Sequence, residues 1–232
     1  MSAELIVALD VPDGSAIPGL LNRMPPALQW YKIGLELFCA EGPAALAPLR
    51  DAGKRIFLDL KLHDIPRTVE RAVASAARHG AGLLTLHASG GPEMIRAAAR
   101  ARDAAGPSAP RLLAVTVLTS LDATDLDTLG VHRSPADQAA ALARMAVDAG
   151  ADGIVCSAQE AGRLRALLGP GPLMVTPGIR LPSDAVGDQK RVSTPGAAVR
   201  AGATHLVVGR PILDAPSPAD AVRAILSDME HG

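Results

Sequence analysis

The densest run of ionisable side chains in the chain is Asp59-Leu60-Lys61-Leu62-His63-Asp64. On an extended backbone Asp59 and Lys61 point to one face and Leu60 to the other, so the spacing predicts that the two charges are neighbours. Asp64 follows in a loop and completes the group either from its own chain or across a subunit boundary. Lys32 offers a second cation. Carboxylates and ammoniums in alternation hold a lysine charged and oriented. A carboxylate pressed against a substrate's own carboxylate raises the substrate's free energy. A lysine beside the reacting carbon then stabilises developing negative charge and donates a proton. A Schiff-base lysine would need a depressed pKa, and two flanking aspartates push the other way. The pattern therefore prefers electrostatic acid chemistry to imine chemistry. The bland alternative is a solvated loop with surface salt bridges worth about 0–1 kcal/mol. Core-like Ile56 to Leu58 before the run and Ile65-Pro66 after it argue against that.

A second group reads as an anion site. TPGIR, Thr176 to Arg180, supplies a rigid turn and an arginine, and VVGR, Val207 to Arg210, a close-approach glycine and another. Gln189, Lys190 and Arg191 lie along the intervening loop. Arginine binds phosphate through two-point hydrogen bonding. Metal signals are weak, because His63, His79, His87, His132, His205 and His231 show no HxH or HExxH spacing. His63 with Asp64 makes only two ligands, and His87 reads as a rim hydrogen-bonding or packing residue. There is no GxGxxG and no GxxxxGK[ST], and nothing asks for a redox cofactor.

These residues need a frame. Short apolar runs at 5–9, 30–33, 55–60, 83–87, 111–118, 153–156, 173–176 and 205–208 read as strands. Helical patterns fall between them at about 15–23, 43–51, 69–79, 91–105, 135–149, 160–168, 194–201 and 218–229. DAGKRIFLD, HGAGLLTLH, DAGADGIVC and RAGATHLVVG echo one another, each running from a helix end through glycine into a strand. Strands that are continuous apolar runs are covered on both faces. The expected fold is α/β, a (β/α)8 TIM barrel in a single domain over 1–232, with a lid or phosphate loop at about 178–194. A doubly wound open sheet is the alternative. A parallel barrel works at the C-terminal ends of its strands, and Asp10, Lys32, Asp59, Lys61, His87, Thr116, Thr119, Pro177, Arg180, Gly209 and Arg210 all fall there.

Composition closes off other classes. The chain has 232 residues, 48% hydrophobic and 20% charged, the mix of a folded globular protein. Its 23 Lys+Arg and 24 Asp+Glu leave a net charge of −1, so no global field favours nucleic acid or an acidic membrane. Aromatics are 2%, too few for a base-stacking platform. Cys39 and Cys156 read as small core residues. The opening residues lack a signal-peptide pattern and no apolar stretch spans a bilayer, so the expected compartment is the cytoplasm.

The chain resembles the orotidine 5′-phosphate decarboxylase family. The most specific match is FLDLKLHDIPRTV, Phe57 to Val69; ALD at Ala8, YKIG at Tyr31, LHASGG at Leu86, VTVLTS at Val115, TPGIR with Gly187-Asp188-Gln189, and VVGRPI at Val207 follow in order. The resemblance implies decarboxylation of orotidine 5′-monophosphate (OMP) to UMP by a homodimer without cofactor or metal. Asp59, Lys61 and Asp64 would surround the C6 carboxylate, with Asp64 supplied by the partner subunit, and Lys61 would protonate C6. Lys32 would hold Asp59 and contact the ribose. Asp10 would bind a ribose hydroxyl, as would Thr68 from the partner, and Ile65, also from the partner, would line the base pocket. Thr119 and Pro177 would meet the pyrimidine, and Arg180, Gln189, Gly209 and Arg210 the phosphate. Arg67 stands where the family usually has asparagine. The rivals are a metal-assisted sugar-phosphate decarboxylase or aldolase of the same barrel group, and a non-catalytic phosphate-ligand binding protein.

Overall fold

The structure is a computed structural model that describes residues 3–181 and 193–231. Its strands are β1 (Glu4–Ala8), β2 (Trp30–Gly34), β3 (Arg55–Leu62), β4 (Ala81–His87), β5 (Arg111–Val115), β6 (Gly153–Val155), β7 (Leu173–Thr176) and β8 (His205–Val208). They pair in parallel in sequence order, and β8 returns to β1 to close a barrel. That closure rules out the open sheet. Helices connect the strands, giving the (β/α)8 TIM barrel expected of the pattern.

The unbroken apolar runs have a direct cause: each strand is buried on both faces. Leu5, Val7, Tyr31, Ile33, Ile56, Leu58, Leu84, Leu86 and Leu112 face outward into the larger core under the helices. Ile6, Ala8, Trp30, Phe57, Leu83, Leu113, Val175 and Val207 fill the barrel's interior. The helices match this. Pro66–Arg78 buries Val69, Val73 and Ala76 at helical spacing. Gly91–Ala104 buries small alanines against its neighbours. The four echoed helix-to-strand joints turn at Gly53, Gly80, Gly150 and Gly202, all at positive φ, where a side chain would be strained.

Three short helices depart from the expected pattern: Leu35–Glu41, Ala123–Thr128 and Arg210–Leu213. Each is under two turns, too short for a 3.6-residue period to emerge. The helix expected from Pro43 is a 3-10 turn, Gly42–Leu46, followed by Ala47–Asp51. Cys39 is exposed on the first of the short helices, whereas Cys156 is buried as expected.

Interior positions recur every second residue, so each end of the barrel's lining can be polar. At the N-terminal mouth the Trp30 indole donates to Glu4 at 2.7 Å, carries the Arg55 guanidinium 4.7 Å above its ring, and meets His205 edge-on at 6.0 Å. At the C-terminal mouth lies the charged row described next.

Candidate active site

β3 does not run straight through its charged segment. Leu58 pairs with Leu84 and Leu62 with Leu86, so Asp59, Leu60 and Lys61 bulge opposite Thr85 alone. Lys61 has φ of 48°, in the left-handed region that costs a lysine about 1–3 kcal/mol. Asp59 and Lys61 are indeed neighbours, but a bulge rather than simple strand alternation brings them together.

The Lys61 ammonium donates to both oxygens of Asp59 at 2.9 Å. Lys32, from β2, lies 3.6 Å from the same carboxylate and 2.8 Å from Asp10, just beyond β1. The charges thus alternate: Asp10, Lys32, Asp59, Lys61. Asp59 and Lys32 are buried, each about 9% exposed. Gly34 makes room for the row, since a β-carbon there would stand 2.9 Å from the Lys32 nitrogen. Burial works to raise the Asp59 carboxyl pKa. The Lys32 and Lys61 ammoniums and the hydrogen bonds from Lys61 and Thr85 outweigh it and hold that carboxyl below its ordinary value. Beside the row, His63 and His87 rings lie 5.5 Å apart. Burial, with the nearby His63 and Lys61, holds His87 below the usual histidine range.

The row floors a cavity of about 260 Å³ with apolar walls from Val115, Val117, Val155 and Val207, and with Thr119 and Pro177 at its side. A second cavity of about 290 Å³ shares Asp10, Gly178, Val207 and Gly209 with the first and adds Arg180 and Arg210. The Arg180 Nε is buried and has no hydrogen-bond partner among the described residues. The ends of the loop between β7 and the next helix are clamped, with Arg180 N–H donating to Ser193 at 3.0 Å and Ser193 N–H to Gly178 at 3.2 Å. Gln189 lies outside the described residues.

Asp64 is not brought to the row within this chain. Its carboxylate accepts the Ile65 N–H at 2.7 Å, and among the described residues no ion pair joins it to Lys61. It belongs to an exposed stretch, His63 to Thr68, in which Ile65 is 67% exposed. Arg67 sits there too, 3.7 Å from Glu70. Sequence reasoning missed Thr85, whose hydroxyl contacts both Asp59 and the Lys61 backbone. The available signal was a polar residue in step with His87 inside the run LLTLH.

A larger cavity, about 640 Å³, opens at the opposite mouth. Its cations are engaged: Arg55 with Glu4, Arg111 facing Asp152 at 3.8 Å, and Lys54 on the carbonyls of Pro26 and Leu28.

The model of the orotidine 5′-phosphate decarboxylase / HUMPS family matches residues 3–225. The chain belongs to that family. It is 54% identical over 228 residues to the orotidine 5′-phosphate decarboxylase of Anaeromyxobacter sp. (strain K), covering 98% of this chain and 99% of that protein. It is 53% identical to the enzyme of the same name from Methylobacterium sp. (strain 4-46), over 97% and 95% of the two chains. The crystal structure of orotidine 5′-phosphate decarboxylase from Lactobacillus acidophilus superposes with a TM-score of 0.87 at 38% identity, covering 98% of this chain and 99% of that one. As a family member at this level of identity, the chain is a decarboxylase, a carboxy-lyase. No helix among the described residues is long and apolar enough to cross a membrane.

Proposed function

We propose that the protein converts OMP to UMP and carbon dioxide, a step of pyrimidine biosynthesis, without metal or cofactor. The observation that carries this reading is the alternating row Asp10, Lys32, Asp59, Lys61 at the floor of an apolar cavity that runs into an arginine-bearing one. The pyrimidine lies in the first cavity between Thr119 and Pro177, and the phosphate in the second on Arg180, Gly209 and Arg210, with Gln189 from the 178–194 loop. Asp10 and Lys32, at the seam, meet the ribose.

The chemistry follows from the charges. The substrate's C6 carboxylate enters beside Asp59, and the repulsion is relieved as the bond to C6 breaks. Carbon dioxide leaves, and the bonding electron pair stays on C6. The Lys61 ammonium, held beside Asp59, stabilises that pair and then gives it a proton; the neutral amine is reprotonated from water. Phosphate and ribose contacts lie away from C6, so their binding energy is available to hold the carboxylate in this crowded position. Asp59 already has both oxygens on Lys61 and one on Thr85, which disfavours the reading of a divalent ion at this carboxylate.

Loss of OMP absorbance with purified enzyme in chelator tests the reading. Turnover that vanishes in chelator and returns with a divalent ion would favour the metal-assisted sugar-phosphate chemistry instead. Binding without turnover would favour the non-catalytic alternative. Arg210→Ala is expected to lower kcat/KM by roughly 10- to 100-fold, the worth of charge-assisted hydrogen bonds to phosphate, measured by steady-state kinetics.

The exposed stretch with Asp64, Ile65 and Thr68 supports a homodimer in which these residues enter the partner's site. Lys61→Ala and Asp64→Asn proteins, each inactive alone, are then expected to recover about a quarter of wild-type activity when unfolded and refolded together, because a two-fold dimer regenerates one intact site in each mixed pair. No recovery would place Asp64 in its own chain's site. We place this single barrel domain in the cytoplasm.

A further inference from the structure

We infer that Thr85, on β4, is a positioning residue that ties the main chain of Lys61 to the carboxylate of Asp59. The inference rests on the reading of Lys61 as the proton donor and deepens it.

The bulge in β3 is the starting point. Between the Leu58–Leu84 and Leu62–Leu86 pairs, β3 has three residues where β4 has one. The Lys61 amide therefore has no β4 carbonyl in register, and a half-buried amide cut off from its ladder needs another partner. The Thr85 hydroxyl takes that place, accepting the Lys61 N–H at 2.9 Å. The same oxygen donates its hydrogen to Asp59 Oδ1 at 2.8 Å. A hydroxyl is one donor and an acceptor, so a single side chain serves both without conflict. Thr85 is about 1% exposed, so water does not compete for either bond.

The lysine is thereby held at both ends. Its ammonium sits on Asp59, and its amide sits on the hydroxyl that also orients Asp59. This closed loop of contacts holds Lys61 at a φ of 48°, which a lysine does not otherwise prefer. Without the hydroxyl the amide is orphaned, the backbone is free to relax, and the ammonium loses its aim. Packing alone does not require threonine here, since valine has the same shape.

The test compares Thr85→Val, Thr85→Ser and Thr85→Ala in the full-length enzyme. In Thr85→Val, kcat is expected to fall about 10²-fold through misplacement of the proton donor, with KM for OMP and affinity for UMP little changed, the split that marks an interaction made at the reacting atoms. Thr85→Ser keeps the hydroxyl and is expected to restore most of kcat, while Thr85→Ala behaves like valine. If the valine variant fails to fold, the serine and alanine pair decides. A valine variant with wild-type kcat, or a serine variant as slow as alanine, would overturn the inference. If the wild-type enzyme itself does not decarboxylate OMP, the proposed function falls on its own. The tie is then decided by a crystal structure of Thr85→Val: a displaced Lys61 ammonium supports it and an unmoved one overturns it.

Discussion

Lys61→Ala is expected to fold and to bind UMP with near-normal affinity, while kcat for OMP falls between about 10²- and 10⁴-fold from loss of the proton donor alone. The further loss of charge stabilisation at C6 adds to this. The fold should tolerate the change. The Lys61 side chain is 31% exposed, and Asp59 keeps Lys32 at 3.6 Å and the Thr85 hydroxyl at 2.8 Å. Single-turnover kinetics, calorimetry with UMP and a thermal melt separate the three quantities. Full turnover in the variant would reject the role given to Lys61.

Asp59→Asn is expected to be costly in a different currency. It keeps the shape but leaves the Lys32 and Lys61 ammoniums facing each other with no charge between them. Removing one partner of a buried ion pair costs about 3–5 kcal/mol, and urea unfolding at neutral pH measures it. The pH dependence has a definite sign. The folded-state pKa of Asp59 is depressed, so its contribution is present above the ordinary carboxylate value and is lost as pH falls through the lower folded one. The gap between wild type and Asp59→Asn should therefore be full near neutrality and shrink below about pH 4. A gap that stays constant into that acid range would show that the carboxylate's charge is not what the barrel relies on.

Much of this was legible from residue order. β7 falls where its run begins and ends, between Pro172 and Pro177, and β8 stops at Gly209, because proline and glycine interrupt a strand. The placing of Asp10, Lys32, Asp59 and Lys61 on one rim follows from parallel strands having a common C-terminal end. The β3 bulge was not legible, because the residue in the left-handed conformation is a lysine, and only glycine or asparagine would have advertised it. Thr85 was hidden for a related reason: its partners are set by a register slip, which local spacing does not encode. Asp64 is a case where spacing misleads. Its distance in sequence from Lys61 is short, yet its carboxylate turns back on its own backbone, so closeness along the chain does not place it in the charged row.

Trp30 is the chain's one tryptophan, and the barrel seats it inside, at the mouth away from Lys61. Its emission is therefore a built-in optical gauge of whether the barrel is closed. With Arg55 over its face and His205 at its edge, that signal should change sharply when the strands part and hardly at all when a nucleotide enters the opposite end. Unfolding can then be followed in the presence of nucleotide without the ligand disturbing the reading and without attaching a dye.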